Sequence, residues 1–147
     1  MTTTTLDACL KAIQDIVGRA DSAIKVSPEY PPDKWPSGIS SIVFLRDGVY
    51  SQPIPGVLQG LHNIGIYVAC PRVDMRNTLK ALYPLGDKVA AALESNPTLL
   101  ASVSTFGAIT YTFDYAINVG TAAAPALIAG WEFTISDVKI EDSTVVS

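Results

Sequence analysis

The segment Ile109-Thr-Tyr-Thr-Phe-Asp-Tyr115 alternates apolar and polar residues without a break. A two-residue period places Ile109, Tyr111, Phe113 and Tyr115 on one face of a strand and Thr110, Thr112 and Asp114 on the other. A strand patterned this way has one covered face and one that meets water. It therefore belongs to an antiparallel sheet and not to a parallel sheet buried on both sides. Leu61 to Cys70 repeats the pattern, with Ile64, Ile66, Val68 and Cys70 on one face and Asn63, Gly65, Tyr67 and Ala69 on the other. Leu127 to Ile140 reads as the last strand. Trp131, Phe133 and Ile135 share a face there, but Val138 and Ile140 fall on the opposite parity, which predicts a bulge near Ser136-Asp137.

Helical spacing occupies two stretches. Leu6, Cys9, Leu10, Ile13, Ile16 and Val17 recur at three- and four-residue steps, with Thr4 or Thr5 available as a cap, Asp7 in the first turn and Gly18 weakening the last. Asp74 is a candidate N-cap for a second helix carrying Met75, Leu79 and Leu82. Pro84 interrupts this helix, and Leu85, Val89 and Leu93 resume it. Proline is tolerated where a helix begins, so the spacing predicts a kinked or two-piece helix over 74–95, stopped by Asn96-Pro97.

Turn chemistry divides the rest. Residues 27–38, with Pro28, Pro31, Pro32 and Pro36 around Tyr30 and Trp35, read as an irregular loop, because proline lacks an amide donor and holds its predecessor extended. Ile39 to Arg46 reads as a strand, Asp47-Gly48 as a hairpin turn, and Val49 to Ile54 as its return arm, with a second loop over 56–60. The expected fold class is α+β: an antiparallel β-sheet of about four strands with two main helices packed on one face, forming a single domain over 1–147 with a loose tail from about residue 141.

Composition narrows the functions. Charged residues are 16% of the chain against roughly 25% in an average soluble domain, so either the fold hides more apolar area than usual or some apolar surface is meant for another chain. The net charge of -4 and the lack of a Lys/Arg cluster argue against a nucleic-acid binder; Arg72, Arg76 and Lys80 fit one solvated helix face. The Thr-rich start lacks a signal-peptide pattern, no stretch is suited to a membrane helix, and Cys9 and Cys70 read as buried free thiols, which points to a reducing, soluble compartment such as a cytoplasm.

No catalytic centre is legible. His62 is the only histidine, and no serine lies in a Gly-x-Ser-x-Gly turn; it reads as structural or interfacial. The carboxylates Asp114, Asp137, Glu141 and Asp142 offer no reason to choose a pair, and Gly56-Val-Leu-Gln-Gly60 matches no phosphate loop. The expectation is no enzyme, no cofactor and no metal. The proline-stiffened Trp35 is either an interface anchor or folded onto its own core. The interface candidates are Tyr30, Pro32, Trp35, Arg46, Asp47 and His62.

Taken together, the short N-terminal helix, the proline-rich loop into a strand, His62-Asn-Ile-Gly-Ile-Tyr-Val, Arg72-Val-Asp-Met75, Leu82-Tyr-Pro-Leu85, Asn96-Pro-Thr-Leu99 and the final strands around Tyr111 and Trp131 resemble the tail terminator proteins of long-tailed bacteriophages. That resemblance implies an α+β subunit of a homohexameric ring that caps the tail tube, stops its elongation and docks the head or neck. The implied partners are the subunit itself, the tail tube protein and head or neck connector proteins. Genome DNA would pass through the pore without specific binding, with no membrane involved, in a virion assembled in the host cytoplasm. The resemblance implies no catalytic residue. The rival expectations are another neck or head–tail connector ring protein, and a small α+β enzyme or ligand-binding module.

Overall fold

A computed structural model describes residues 6–26, 38–72, 74–96, 106–118 and 127–142. The elements are α1 (Leu6–Ala20), β1 (Lys25–Val26), β2 (Ser40–Ser51), β3 (Leu58–Pro71), α2 (Met75–Leu82), α3 (Leu85–Glu94), β4 (Ile109–Asn118) and β5 (Leu127–Asp142). The strands form one sheet in the order β1-β2-β3-β5-β4. Its four long strands are antiparallel throughout, and the two-residue β1 adds in parallel to the start of β2. The expected α+β sheet with two helices, one of them bent, is the observed architecture.

The core follows from the alternation. Ile64, Ile66 and Val68 of β3 pair in register with Ile135, Phe133 and Trp131 of β5, so the apolar parities of both strands share one face. Helix α1 brings Cys9, Ile13, Ile16 and Val17 to that face, and α3 brings Leu85, Val89 and Leu93. Each fully buried side chain of this size contributes about 1.5–3 kcal/mol by leaving water. Lys88 of α3 donates to the Asp21 carboxylate just beyond α1 at 2.6 Å, and this bond holds the Asp21 carboxyl below its ordinary range.

The break between α2 and α3 has a local cause. Pro84 has no amide to donate, so α2 closes with Tyr83 N–H donating to Leu79 O at 2.9 Å, and the chain restarts at Leu85. The Trp131 indole donates to the Leu82 carbonyl at 2.7 Å, filling an acceptor at the helix end. Gly86 lies so close to this ring that a Cβ there would come within 2.5 Å of it. Asp74 precedes α2 as expected, yet its carboxylate accepts from Asn77 Nδ2 at 2.7 Å and not from a backbone amide.

One turn is misplaced by the sequence reading. Asp47 and Gly48 do not form a hairpin turn; they lie inside β2, which runs unbroken from Ser40 to Ser51. The hairpin closes over 52–57, where Pro53 and Pro55 need no amide partners and Gly56 adopts φ 87°. Gly48 serves a different purpose: a Cβ there would come within 2.5 Å of the Leu61 carbonyl and 3.1 Å of His62 Nδ1. The second loop expected over 56–60 is correspondingly shorter, since β3 begins at Leu58.

The parity switch in β5 is a bulge at the expected place. His62 pairs with Val138 and Ile64 with Ile135, so Ser136 and Asp137 together oppose the single Asn63. The extra residue returns Val138 and Ile140 to the core face. The proline-rich loop, including Tyr30, Pro32 and Trp35, lies outside the described residues. Strand β5 runs through Asp142, and the rest of the expected tail is likewise outside them. Among the described residues, no helix is long and apolar enough to cross a membrane.

Candidate functional site

The sheet face opposite the helices is built in rows that cross the four long strands. Phe44, Gly65, Thr134 and Thr110 form one row in register, and Ile42, Tyr67, Glu132 and Thr112 form the next. The glycine in the first row decides what the face can do. With no side chain at Gly65, the Phe44 ring and the Arg46 side chain lie across β3, where a Cβ would come within 2.3 Å of Phe44 and 2.9 Å of Arg46 Nε. Phe44 stacks on Tyr67 with ring centroids 5.0 Å apart, and the Arg46 guanidinium lies 4.9 Å from the Phe44 ring centre. Arg46 then reaches Glu132 on β5 and forms an ion pair.

Arg46 follows Ile42 and Phe44 onto this face by alternation, and it is also a bulge residue. Leu45 pairs with Ile64 and Asp47 with Asn63, so Arg46 is inserted opposite no residue of β3. Bulges re-aim side chains and increase local twist. Burial pushes the Tyr67 phenol above its ordinary pKa, Glu132 and Asp114 add to the effect, and Arg46 opposes it. Arg46, Glu132, Thr110, Thr112 and Thr134 line a shallow depression of about 400 Å³. It presents hydroxyls and one ion pair, chemistry suited to holding polar surface and lacking a free base or nucleophile pair.

Aromatic rings line the β4 side on the helix-bearing face. Tyr111, Trp131, Phe113, Tyr115 and Tyr83 touch in a chain with neighbouring centroids 5.0–5.2 Å apart, and the Tyr83 and Tyr115 hydroxyls are 3.0 Å apart. Tyr111 is nevertheless 64% exposed. At the other flank the β2–β3 hairpin exposes Leu45, Val49, Tyr50 and Ile54. Two separate apolar and aromatic surfaces thus remain open on a chain poor in charge.

The sequence-predicted candidates separate. Arg46 is on the open face, and Asp47 accepts from Asn63 Nδ2 at 2.6 Å beside it. His62 is only 4% exposed, its imidazole packed over Gly60 and edge-on to Tyr50 at 5.2 Å. Burial lowers its pKa. Among the described residues no hydroxyl or carboxylate bonds to it, so no Ser-His-Asp arrangement forms around it. Cys9 and Cys70 are buried free thiols, and burial pushes the Cys70 thiol up against an opposing Thr78 hydrogen bond. Among the described residues no three metal-capable side chains gather.

The residues missed at sequence level are Gly65 and Glu132. Gly65 carried a signal, since a glycine inside a strand marks close approach of other groups. Compared with protein-family models and with curated proteins, the chain matches none.

Proposed function

We propose that this chain is a virion structural protein, a tail terminator that assembles into a homohexameric ring on the last ring of the tail tube. There it stops tube elongation and presents a docking surface to head or neck proteins, while genome DNA passes through the pore. The observation that carries this reading is the pair of open flanks. The aromatic row at Tyr83, Tyr111 and Tyr115 and the hairpin residues Val49, Tyr50 and Ile54 lie on opposite sides of one sheet. A closed ring is heterologous: each subunit offers its neighbour two different surfaces. A low charge content and exposed aromatics suit such surfaces.

The reading assigns the chain no reaction and no cofactor. Its open face offers an ion pair, threonines and a stacked Phe44–Tyr67 pair, a surface for contact with protein.

Electron microscopy of phage particles made without the protein tests the proposal. Tails of uncontrolled length support it. Tails of normal length that fail to join heads overturn it in favour of a neck or head–tail connector ring.

A further inference from the structure

Two bulges fall on one line across the sheet. Arg46 is inserted in β2 and one of Ser136-Asp137 in β5, both at the step between Asn63 and Ile64 of β3. β4 stops at this line as well, its first register pair being Ile109 with Ile135. Beyond the line the ends of three strands form an extension of the sheet: 47–51 of β2, 58–62 of β3 and 138–142 of β5. A bulge on each side of β3 interrupts both ladders at one level, so the extension can open as a unit of its own.

His62 is in the middle strand of this extension, on the helix-bearing face, with Gly48 and Val138 as its register partners. It is buried, and its imidazole lies over Gly60, where any Cβ would strike the ring. A Cβ at Gly48 would come within 3.1 Å of Nδ1, and Tyr50 meets the ring edge-on. Two glycines thus leave a slot that the imidazole fills.

We propose that His62 is a pH-sensitive latch: the neutral imidazole holds the extension closed, and the imidazolium releases residues 47–62 and 138–142 while the sheet on the other side of the bulges stays intact. The device belongs to the lone subunit and stands apart from the ring reading. The extension carries the exposed Val49, Tyr50 and Ile54, so its release changes what that flank presents.

The slot accepts a neutral ring and has nothing for a charged one. An imidazolium has two N–H donors and a charge, each needing an acceptor or water. Among the described residues no group accepts from either ring nitrogen. Against the ring, β2 sets Gly48 and Tyr50, β3 sets Gly60 and β5 sets Val138, and Tyr50 is the one titratable group of these. Asp47 and Lys139 have the opposite parity, Asp137 is on the exposed bulge, and Asp142 lies four residues further along β5, opposite Leu58. Burial is the sole cause of the lowered pKa, with no charged group of the helices contributing. The closed form therefore loses its advantage as pH falls below about 6.5.

Amide exchange on the lone chain at about pH 7.5 and about pH 5, corrected for the intrinsic pH dependence of exchange, tests the latch. Protection within 48–51, 58–62 and 138–142 is expected to fall on the order of tenfold relative to that within 64–70 and 128–135. His62→Phe fills the slot with an uncharged ring and removes the difference. If that variant does not fold, the wild-type imidazole followed by NMR decides, since its titration must share a midpoint with the loss of protection. Equal loss on both sides of the bulges overturns the latch, as does loss that persists in folded His62→Phe. Differing midpoints overturn it too, and so does a ring that titrates while protection stays, which would mean that the side chain swings out alone.

Discussion

Asn63 accepts the backbone amide of Asp137 through Oδ1 at 3.2 Å and donates through Nδ2 to Asp47 Oδ1 at 2.6 Å. This one side chain sits where both neighbouring strands carry an extra residue, Arg46 in β2 and one of Ser136-Asp137 in β5. Its amide therefore ties together the two bulges that bring Asp47 onto the open face and return Val138 to the core.

Asn63→Ala removes both contacts and leaves the Asp137 amide without its side-chain acceptor. The expected cost is about 0.5–1.5 kcal/mol in chemical denaturation. Asp137→Gly acts in the opposite direction, because Asp137 holds φ 53° and glycine adopts that conformation without a Cβ penalty. Equal destabilisation by both substitutions would contradict this account of the bulge.

Gly65→Ala places a methyl where Phe44 and Arg46 cross β3. Both side chains must move, the stack on Tyr67 opens and Arg46 loses Glu132. The cost is expected at about 1–3 kcal/mol by overpacking. Glu132→Gln, which keeps the shape, costs less. A melting temperature unchanged by Gly65→Ala would show that the open face does not depend on this crossing.

Trp131→Phe keeps an aromatic ring but withdraws the donor to the Leu82 carbonyl. The expected loss is about 1 kcal/mol. Gly86→Val costs more, since its side chain would collide with the same indole. Thermal melts of the two variants rank them, and the reverse order would place the helix restart under some other control.

Stability depends on pH through His62. Burial sets its folded pKa below the unfolded value, so the unfolded chain takes up the proton first. The contribution of neutral His62 is full above about pH 6.5 and is lost as pH falls through that value toward the folded pKa. Denaturant midpoints therefore drop between about pH 7.5 and pH 5. The slope flattens in His62→Phe, and an identical slope in that variant would rule out His62 as its source.

Residues whose role follows from chain periodicity were legible in the sequence. The alternation at Ile64–Cys70 and Ile109–Tyr115 specifies strands with one apolar face. The parity switch at Ser136-Asp137 specifies a bulge, and Pro84 a restarted helix. These effects act over a few neighbours, where backbone sterics and side-chain period decide. The Asp47-Gly48 turn failed because a dipeptide signal competes with the ladder around it. Eleven register pairs hold β2 to β3, and Gly48 was needed for its closeness to Leu61 and His62.

Tertiary structure alone decided the candidate site. Arg46 and Glu132 are 86 residues apart in the chain, and nothing local announces that they meet. They meet because alternation puts Arg46 on the open face and Gly65 leaves a path across β3. The lateral edges are likewise a property of strand order. The sequence determined that β2 and β4 are strands with one covered face. Only the order β1-β2-β3-β5-β4, with a two-residue β1, placed β2 and β4 toward opposite sides of the sheet among the described residues. A strand's period is set by its own backbone, whereas its neighbours are set by long-range packing.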